Sequence, residues 1–260
     1  MIDVLEQIVK DKREELSSIS FGNIEELARN TARQTISMAQ SILGTKGGII
    51  AEYKRYSPSK KWINKDANVC DVAQAYEESG AAACSVLTNE KYFKGKVEHL
   101  RNARSVVKAL PLLRKEFIVD SRQIYEARTI GADAILLIAA CLSAEQCHEF
   151  AAMAHSVGLE VLLEIHTSDE LKHISNDIDM IGVNNRNLGS FVTDVNNSFA
   201  LAEELKQIAN GRPLISESGI HEAETIKRLQ QAGFNGFLIG EQFMKTPNQG
   251  MALAQLIAQL

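Results

Sequence analysis

From residue 47 onward the chain alternates short apolar runs with longer amphipathic stretches, and this alternation restricts its possible folds more than any other feature. The runs are GIIAEY (48–53), ACSVLT (83–88), PLLRKEF (111–117), AILLI (134–138), EVLLEI (160–165), MIGVN (180–184), PLISES (213–218) and GFLIG (236–240). They are close to continuously apolar, as strands buried on both faces are. Between them lie stretches with helical spacing of apolar residues, such as VAQAYEESGA, VEHLRNARSVVKAL, SRQIYEARTIGA, SAEQCHEFAAMAHSVG and EAETIKRLQQAG. Several end in a glycine ahead of the next run, at Gly80, Gly131, Gly158 and Gly233, the usual left-handed stop of a helix. Strands that alternate with helices pair in parallel. Eight such units close a barrel of about 250 residues, and the chain has 260. The expected class is α/β, a (β/α)8 TIM barrel. The competing arrangement is an open doubly wound sheet, and no GxGxxG follows the first run to support its dinucleotide-binding form.

Ahead of the first run, residues 2–17 read as an amphipathic helix with Ile2, Leu5, Ile8 and Val9 near helical spacing. NIEELARN and then TARQTISMAQSIL are read as further helix within 24–42. Residues 1–46 are therefore expected to form an N-terminal helical extension packed on the barrel, and 47–260 the catalytic barrel. With four prolines and no linker or low-complexity tract, the whole is expected to be one domain.

Composition excludes several function classes. The formal charge is −5 with scattered basic residues, so no nucleic-acid partner is expected. No apolar run of about 18 residues is available to span a membrane, and the charged N-terminus lacks the core of a signal peptide. Cys70, Cys84, Cys141 and Cys147 form no CxxC pair and no zinc-like cluster with histidine. Free thiols in a reducing cytoplasm are the expectation.

The active site of a barrel of this class lies where the C-terminal strand ends meet the following loops. Five of the eight ends carry polar groups that a core would not select. The first ends in Glu52, Lys54 and Ser57; the third in Arg114, Lys115, Glu116 and Phe117; the fifth carries Glu164. The sixth ends in Asn184 and Arg186, the seventh in Ser216, Glu217, Ser218 and Gly219. Alternation sets Glu52 and Lys54 on one face with Ile50, and Lys115 and Phe117 on one face with Leu113, opposite Arg114 and Glu116. Lysines and glutamates sharing a water-poor cleft shift one another's pKa and can exchange protons with a substrate. Glycine turns after the last two runs, at Gly219 and Gly240, suit a phosphate held by backbone N–H groups. Glu164 and His166 lie two apart but have no third ligand at useful spacing, so no metal is expected. Phe93 and Phe117 read either as core or as a wall for a substrate ring, and Trp62, the only tryptophan, lies in the loop after the first run. From these residues alone, a Schiff-base enzyme of aldolase type and a non-catalytic phosphate-binding barrel remain open beside an acid–base enzyme.

The ordered motifs VLEQIVKDKREE, AEYKRYSPSK, SVLTNEKYFKG, LLRKEFIVD, ADAILLI, LLEIH, IGVNNRNL, ISESGI and GFLIGEQFM resemble those of the indole-3-glycerol phosphate synthase family over nearly the whole chain. The resemblance implies conversion of 1-(2-carboxyphenylamino)-1-deoxyribulose 5-phosphate to indole-3-glycerol phosphate, CO2 and water, with no metal and no organic cofactor. It implies that Lys115 is the general acid of ring closure. Glu164 and Lys54 match the residues that handle the protons of dehydration, and Glu52 an essential carboxylate. Asn184 matches a position that holds substrate and catalytic groups, and Ser218 a substrate-binding position counted with the catalytic set. Ser57, Arg186 and Glu217 match substrate-binding positions, Gly219, Gly240 and Glu241 the phosphate cradle, and Phe93, Phe117 and Leu136 the wall beside the aromatic ring. A monomer or weak homodimer in the cytoplasm is expected. The chain departs from the family pattern at Asn89, Glu116 and Asn187, each usually Asp, and at Lys61, where glycine is common. Glu217 and Ser218 are adjacent, so the chain must bend there for both to serve the site, or one must act through its backbone.

Overall fold

The computed structural model describes residues 4–187 and 192–260, so Ile2 of the first helical pattern and Leu188 of the NRNL motif lie outside the described residues. The chain opens with α1 (Val4–Ser18), α2 (Ile24–Arg29) and α3 (Met38–Gly44). Then come β1 (Ile49–Tyr53), a hairpin of β2 (Tyr56–Ser57) and β3 (Lys61–Trp62), α4 (Val69–Glu78), β4 (Ala83–Leu87), α5 (Glu90–Phe93), α6 (Val97–Val106) and β5 (Leu112–Lys115). The second half holds α7 (Ser121–Thr129), β6 (Ala134–Ile138), α8 (Ala144–Ser156), β7 (Glu160–Ile165), β8 (Met180–Asn184) and α9 (Asn196–Ile208). It closes with β9 (Leu214–Glu217), α10 (Ala223–Gln231), β10 (Gly236–Ile239), α11 (Glu241–Met244) and α12 (Gln249–Ala258).

Eight parallel strands close on themselves in the order β1-β10-β9-β8-β7-β6-β5-β4, a (β/α)8 barrel. Each expected run contains one barrel strand. The crossover from β7 to β8 carries only a 3-10 helix, Ser168–His173, in place of a full α-helix. Along each strand, alternate residues serve two cores. Ile50, Leu113, Leu136, Leu162, Met180, Ile215 and Leu238 fill the barrel interior. Ile49, Ala51, Tyr53, Leu112, Ile135, Leu137, Val161 and Leu163 pack outward beneath the helices. That division is the physical basis of the face assignments made from alternation.

The segment TARQTISMAQSIL is not one helix. Residues 31–37 have no helical structure, and α3 begins only after Ser37, whose Oγ accepts from Gln40 N. The backbone of 31–37 finds its partners on the barrel instead of within itself. Arg128 donates to the carbonyls of Thr31 and Arg33, and Ile36 N donates to Asp133 at 3.0 Å. Helical spacing in that segment is overridden by tertiary hydrogen bonds and by β-branched Thr31, Thr35 and Ile36. The carboxylate of Glu160 then receives Met38 N, Ala39 N and Ser37 Oγ at the start of α3. Met38 and Ile42 of α3 join the interior cluster, while α1 lines the cavity at the catalytic end.

Candidate active site

The strand register delivers the polar ends to one mouth. Asn184 lies opposite Glu217 between β8 and β9, Glu164 opposite Ile138 between β7 and β6, and Lys115 opposite Leu87 between β5 and β4. A cavity of about 350 Å³ opens there. Fourteen of the fifteen sequence-derived site residues line it: Glu52, Lys54, Phe93, Lys115, Phe117, Leu136, Glu164, Asn184, Arg186, Glu217, Ser218, Gly219, Gly240 and Glu241. Ser57 does not. Its hydroxyl is buried in the hairpin, where it accepts from Lys60 N at 3.2 Å and lies 3.5 Å from Ser59 Oγ. Ser59 lines the cavity in its place and receives a long hydrogen bond from Arg186 at 3.4 Å.

Lys115 is the electrostatic centre. Its ammonium lies 2.9 Å from Glu164 Oε2 and 2.5 Å from Glu217 Oε2. Burial works against the charged lysine, but Glu164 and Glu217, with Glu52, outweigh it and hold the ammonium above its ordinary pKa. The two carboxylates separate in the opposite sense. Burial pushes Glu164 up, yet Lys115, His166 and a hydrogen bond from Asn184 pull it below the usual carboxylate range. Glu217 is pushed up by burial; Lys115 pulls it down, and the neighbouring Glu164 charge tips it upward. Two carboxylates on one ammonium therefore divide into one held ionised and one that takes a proton more readily. Across the mouth, Lys54 Nζ lies 2.5 Å from Glu52 Oε1. Behind Glu164, His166 lies between Glu164 Oε1 at 3.5 Å and Glu170 Oε2 at 3.6 Å. Among the described residues no group of three or more His, Cys, Asp and Glu is placed to hold a metal ion.

The bend that the Glu217–Ser218 step requires is present. Glu217 points inward from β9, and Ser218 turns into the left-handed region at φ 69°, followed by Gly219 at φ 77°. A serine there carries strain, and buried Asn185 holds it: Nδ2 donates to the Ser218 carbonyl and to Ser216 Oγ, each at 3.0 Å. Ser198 N and Oγ satisfy Asn185 Oδ1. Two other glycines make room for carboxylates of the cavity. A Cβ at Gly182 would collide with Glu217 Oε1, and one at Gly240 would come within 2.6 Å of Glu52 Oε1. Phe93 and Phe117 lie with ring centroids 6.2 Å apart, and Leu5 and Ile8 of α1 line the same cavity. The apolar spacing of α1 contained that signal, but not which end of the barrel it covers. Trp62 stands outside the cavity, edge-on to Tyr56 at 5.4 Å and beneath Arg55 at 6.0 Å. Lys61 beside it adopts φ 61°, which explains why a glycine suits that position.

A closed (β/α)8 barrel with two lysines and three carboxylates converging on an apolar-walled cavity at its C-terminal mouth defines an acid–base barrel enzyme. The family model described as indole-3-glycerol phosphate synthase matches residues 5–256. An indole-3-glycerol phosphate synthase of Bacteroides thetaiotaomicron is 49% identical over 99% of this chain and 98% of its own length. One from Carboxydothermus hydrogenoformans is 42% identical over 98% and 99%. The chain belongs to the indole-3-glycerol phosphate synthase family, carboxy-lyases of tryptophan biosynthesis. Among solved structures, a mutant tryptophan synthase alpha-subunit of Pyrococcus furiosus superposes with a TM-score of 0.63 at 16% identity, over 83% of this chain and 98% of that one. A 3-hexulose-6-phosphate synthase gives 0.63 at 12%, over 82% and 99%. At those identities the two structures share the barrel fold.

Proposed function

We propose that the cavity binds 1-(2-carboxyphenylamino)-1-deoxyribulose 5-phosphate with its phosphate at the Ser218–Gly219 and Gly240–Glu241 loops and its ring between Phe93, Phe117 and Leu136. The carbonyl oxygen then meets Lys115. As the ring carbon that bears the carboxylate attacks that carbonyl, the Lys115 ammonium gives a proton to the oxygen; the carboxylate then leaves as CO2, and the electron pair of the broken bond stays behind and restores the aromatic ring. The new hydroxyl departs as water with a proton from the enzyme, and a carbon-bound proton is lost to close the pyrrole. Glu164 and Lys54 handle these last two transfers, while Glu52 orients Lys54. Asn184 and Arg186 position substrate. One proton is consumed overall and is replaced from solvent at Lys115.

The observation that carries this reading is the Lys115 ammonium held between Glu164 and Glu217. It stays charged at neutral pH, as a donor to a developing alkoxide must. A Schiff-base mechanism needs the neutral amine at a lysine, so borohydride is expected to trap no covalent adduct on Lys115. The direct test is indole fluorescence appearing from the carboxyphenylamino substrate; no signal from folded protein would refute the proposal.

Three coarser proposals accompany it. Residues 1–46 and 47–260 act as one domain, supported by the bonds of Asp133 and Glu160 to residues 33–39. The enzyme works in the cytoplasm as a monomer or weak homodimer without nucleic acid or membrane. Its four free cysteines support the compartment, and exposed apolar side chains such as Leu27, Leu43 and Met251 come from different elements. Sedimentation at two protein concentrations tests the oligomeric state. No helix among the described residues is long and apolar enough to cross a membrane.

A further inference from the structure

Lys12 stands on the buried face of α1, only 4% exposed, with Leu5, Ile8 and Leu16. A lysine in that position requires an anionic partner, and it has one: Glu116 Oε2 at 3.4 Å, with Glu15 at 2.9 Å. Glu116 is itself buried, between Lys115 and Phe117 in the chain, and with Asn89 borders the same cavity. Its carboxylate is filled from four directions. Oε1 accepts from Asn89 Nδ2 at 3.1 Å and Phe117 N at 2.9 Å; Oε2 accepts from Thr88 Oγ1 at 3.0 Å and faces Lys12. Asn89 has a second duty, since its Oδ1 accepts from Tyr92 N at 3.0 Å and caps α5, which carries Phe93. The adjoining Asp11 of α1 fastens the same loop through Lys91 and Tyr92.

We propose that Lys12, Asn89 and Glu116 act as one positioning unit that locks α1 and the loop after β4 onto the Lys115–Phe117 segment. One carboxylate thereby sets the proton donor, both ring-wall phenylalanines and the helix whose Leu5 and Ile8 line the same cavity. None of the three is assigned a step in the chemistry; they act through Lys115, Phe117 and Phe93. Asn89 and Glu116 are also two of the positions at which this chain departs from the family's usual aspartates, and the structure places the two departures in one hydrogen bond. The amide at 89 is matched to the longer acid at 116. An aspartate at 89 would set two carboxylates at hydrogen-bond distance in a buried site, where like charges repel strongly.

The inference rests on the role proposed for Lys115. Wild-type turnover tests that role, and the following comparison tests the positioning unit. Asn89→Asp keeps a helix-capping oxygen, removes the donor to Glu116 and puts a second carboxylate beside it. It is expected to lower kcat/KM by about 10- to 100-fold, the scale of a small misplacement of reacting groups, and to lower the thermal midpoint, with inhibition by inorganic phosphate little changed at a temperature where the variant is fully folded. Asn89→Asp/Glu116→Asp, which withdraws the second carboxylate by one methylene, is expected to recover most of the loss. Lys12→Met should raise KM for the full substrate and leave phosphate inhibition alone, and Lys12→Arg should restore it. Should Lys12→Met fail to fold, the Asn89 pair still decides. Near-wild-type kcat/KM in Asn89→Asp overturns the proposal. So does a loss that the double variant does not relieve, or one that tracks phosphate affinity and folded fraction.

Discussion

At the scale of single residues, the site is a set of charges that only make sense together. Lys115 is held charged by two carboxylates, so Lys115→Ala leaves Glu164 and Glu217 buried side by side with no cation between them. Turnover should fall by at least the factor of about 10² to 10⁴ that a positioned proton donor contributes, and phosphate inhibition should persist; indole fluorescence and phosphate titration measure the two. Glu164→Gln is expected to block product formation at dehydration. A product-sized signal from that variant at near-normal rate would show that Glu164 has another role. The two carboxylates also predict a pH dependence. Protonation of Glu217 removes one of the anions that hold Lys115 charged, and Glu217 is raised above the usual range. The acid limb of kcat/KM against pH therefore lies above that range in the wild type, activity falling as pH drops through it. Glu217→Gln, which mimics the protonated acid at every pH, should show low activity with that limb absent. Because substrate phosphate titrates identically for both proteins, the difference between their profiles isolates the enzyme group.

At the scale of elements, strand alternation made Glu52, Lys54, Lys115 and Phe117 legible before any tertiary contact was known. It did so because strand parity is a local property of the backbone. Ser57, which the resemblance gave as a substrate-binding position, lies beyond the reach of strand parity: it leaves the barrel strand for the β2–β3 hairpin, where its hydroxyl accepts from Lys60 N. The same hairpin explains Lys61. A left-handed residue with a Cβ costs about 1–2 kcal/mol, partly offset by the extra unfolded-state freedom glycine would bring. Lys61→Gly is thus expected to stabilise by about 0.5–1 kcal/mol without loss of activity, measured by denaturant unfolding. A destabilised Lys61→Gly would contradict the strain assigned there.

At the scale of the whole molecule, the N-terminal residues grip the barrel at both ends, α1 at the cavity and α3 at the opposite end of the interior. Asp133 is the fastening at the closed end. Fully buried, it receives Arg33 at 2.7 Å, Arg104 at 2.6 Å, Leu112 N at 2.8 Å and Ile36 N at 3.0 Å. Asp133→Ala should cost about 3–5 kcal/mol by leaving two guanidinium groups without their anion, and limited proteolysis should then cut within 31–37. Resistance there at wild-type level would mean that the extension is held by something else.

Sequence alone determined the eightfold strand–helix rhythm, the parity of the catalytic strand ends and the ordered motifs, because strand and helix periods are written in neighbouring residues. Tertiary structure alone decided which charges meet. The distances of Glu164 and Glu217 from Lys115, the left-handed turn at Ser218 held by Asn185, the non-helical 31–37 segment bonded to the barrel and the Lys12–Glu116 pair all join residues far apart in the chain. Their energies depend on a low-dielectric interior that exists only once the barrel has closed.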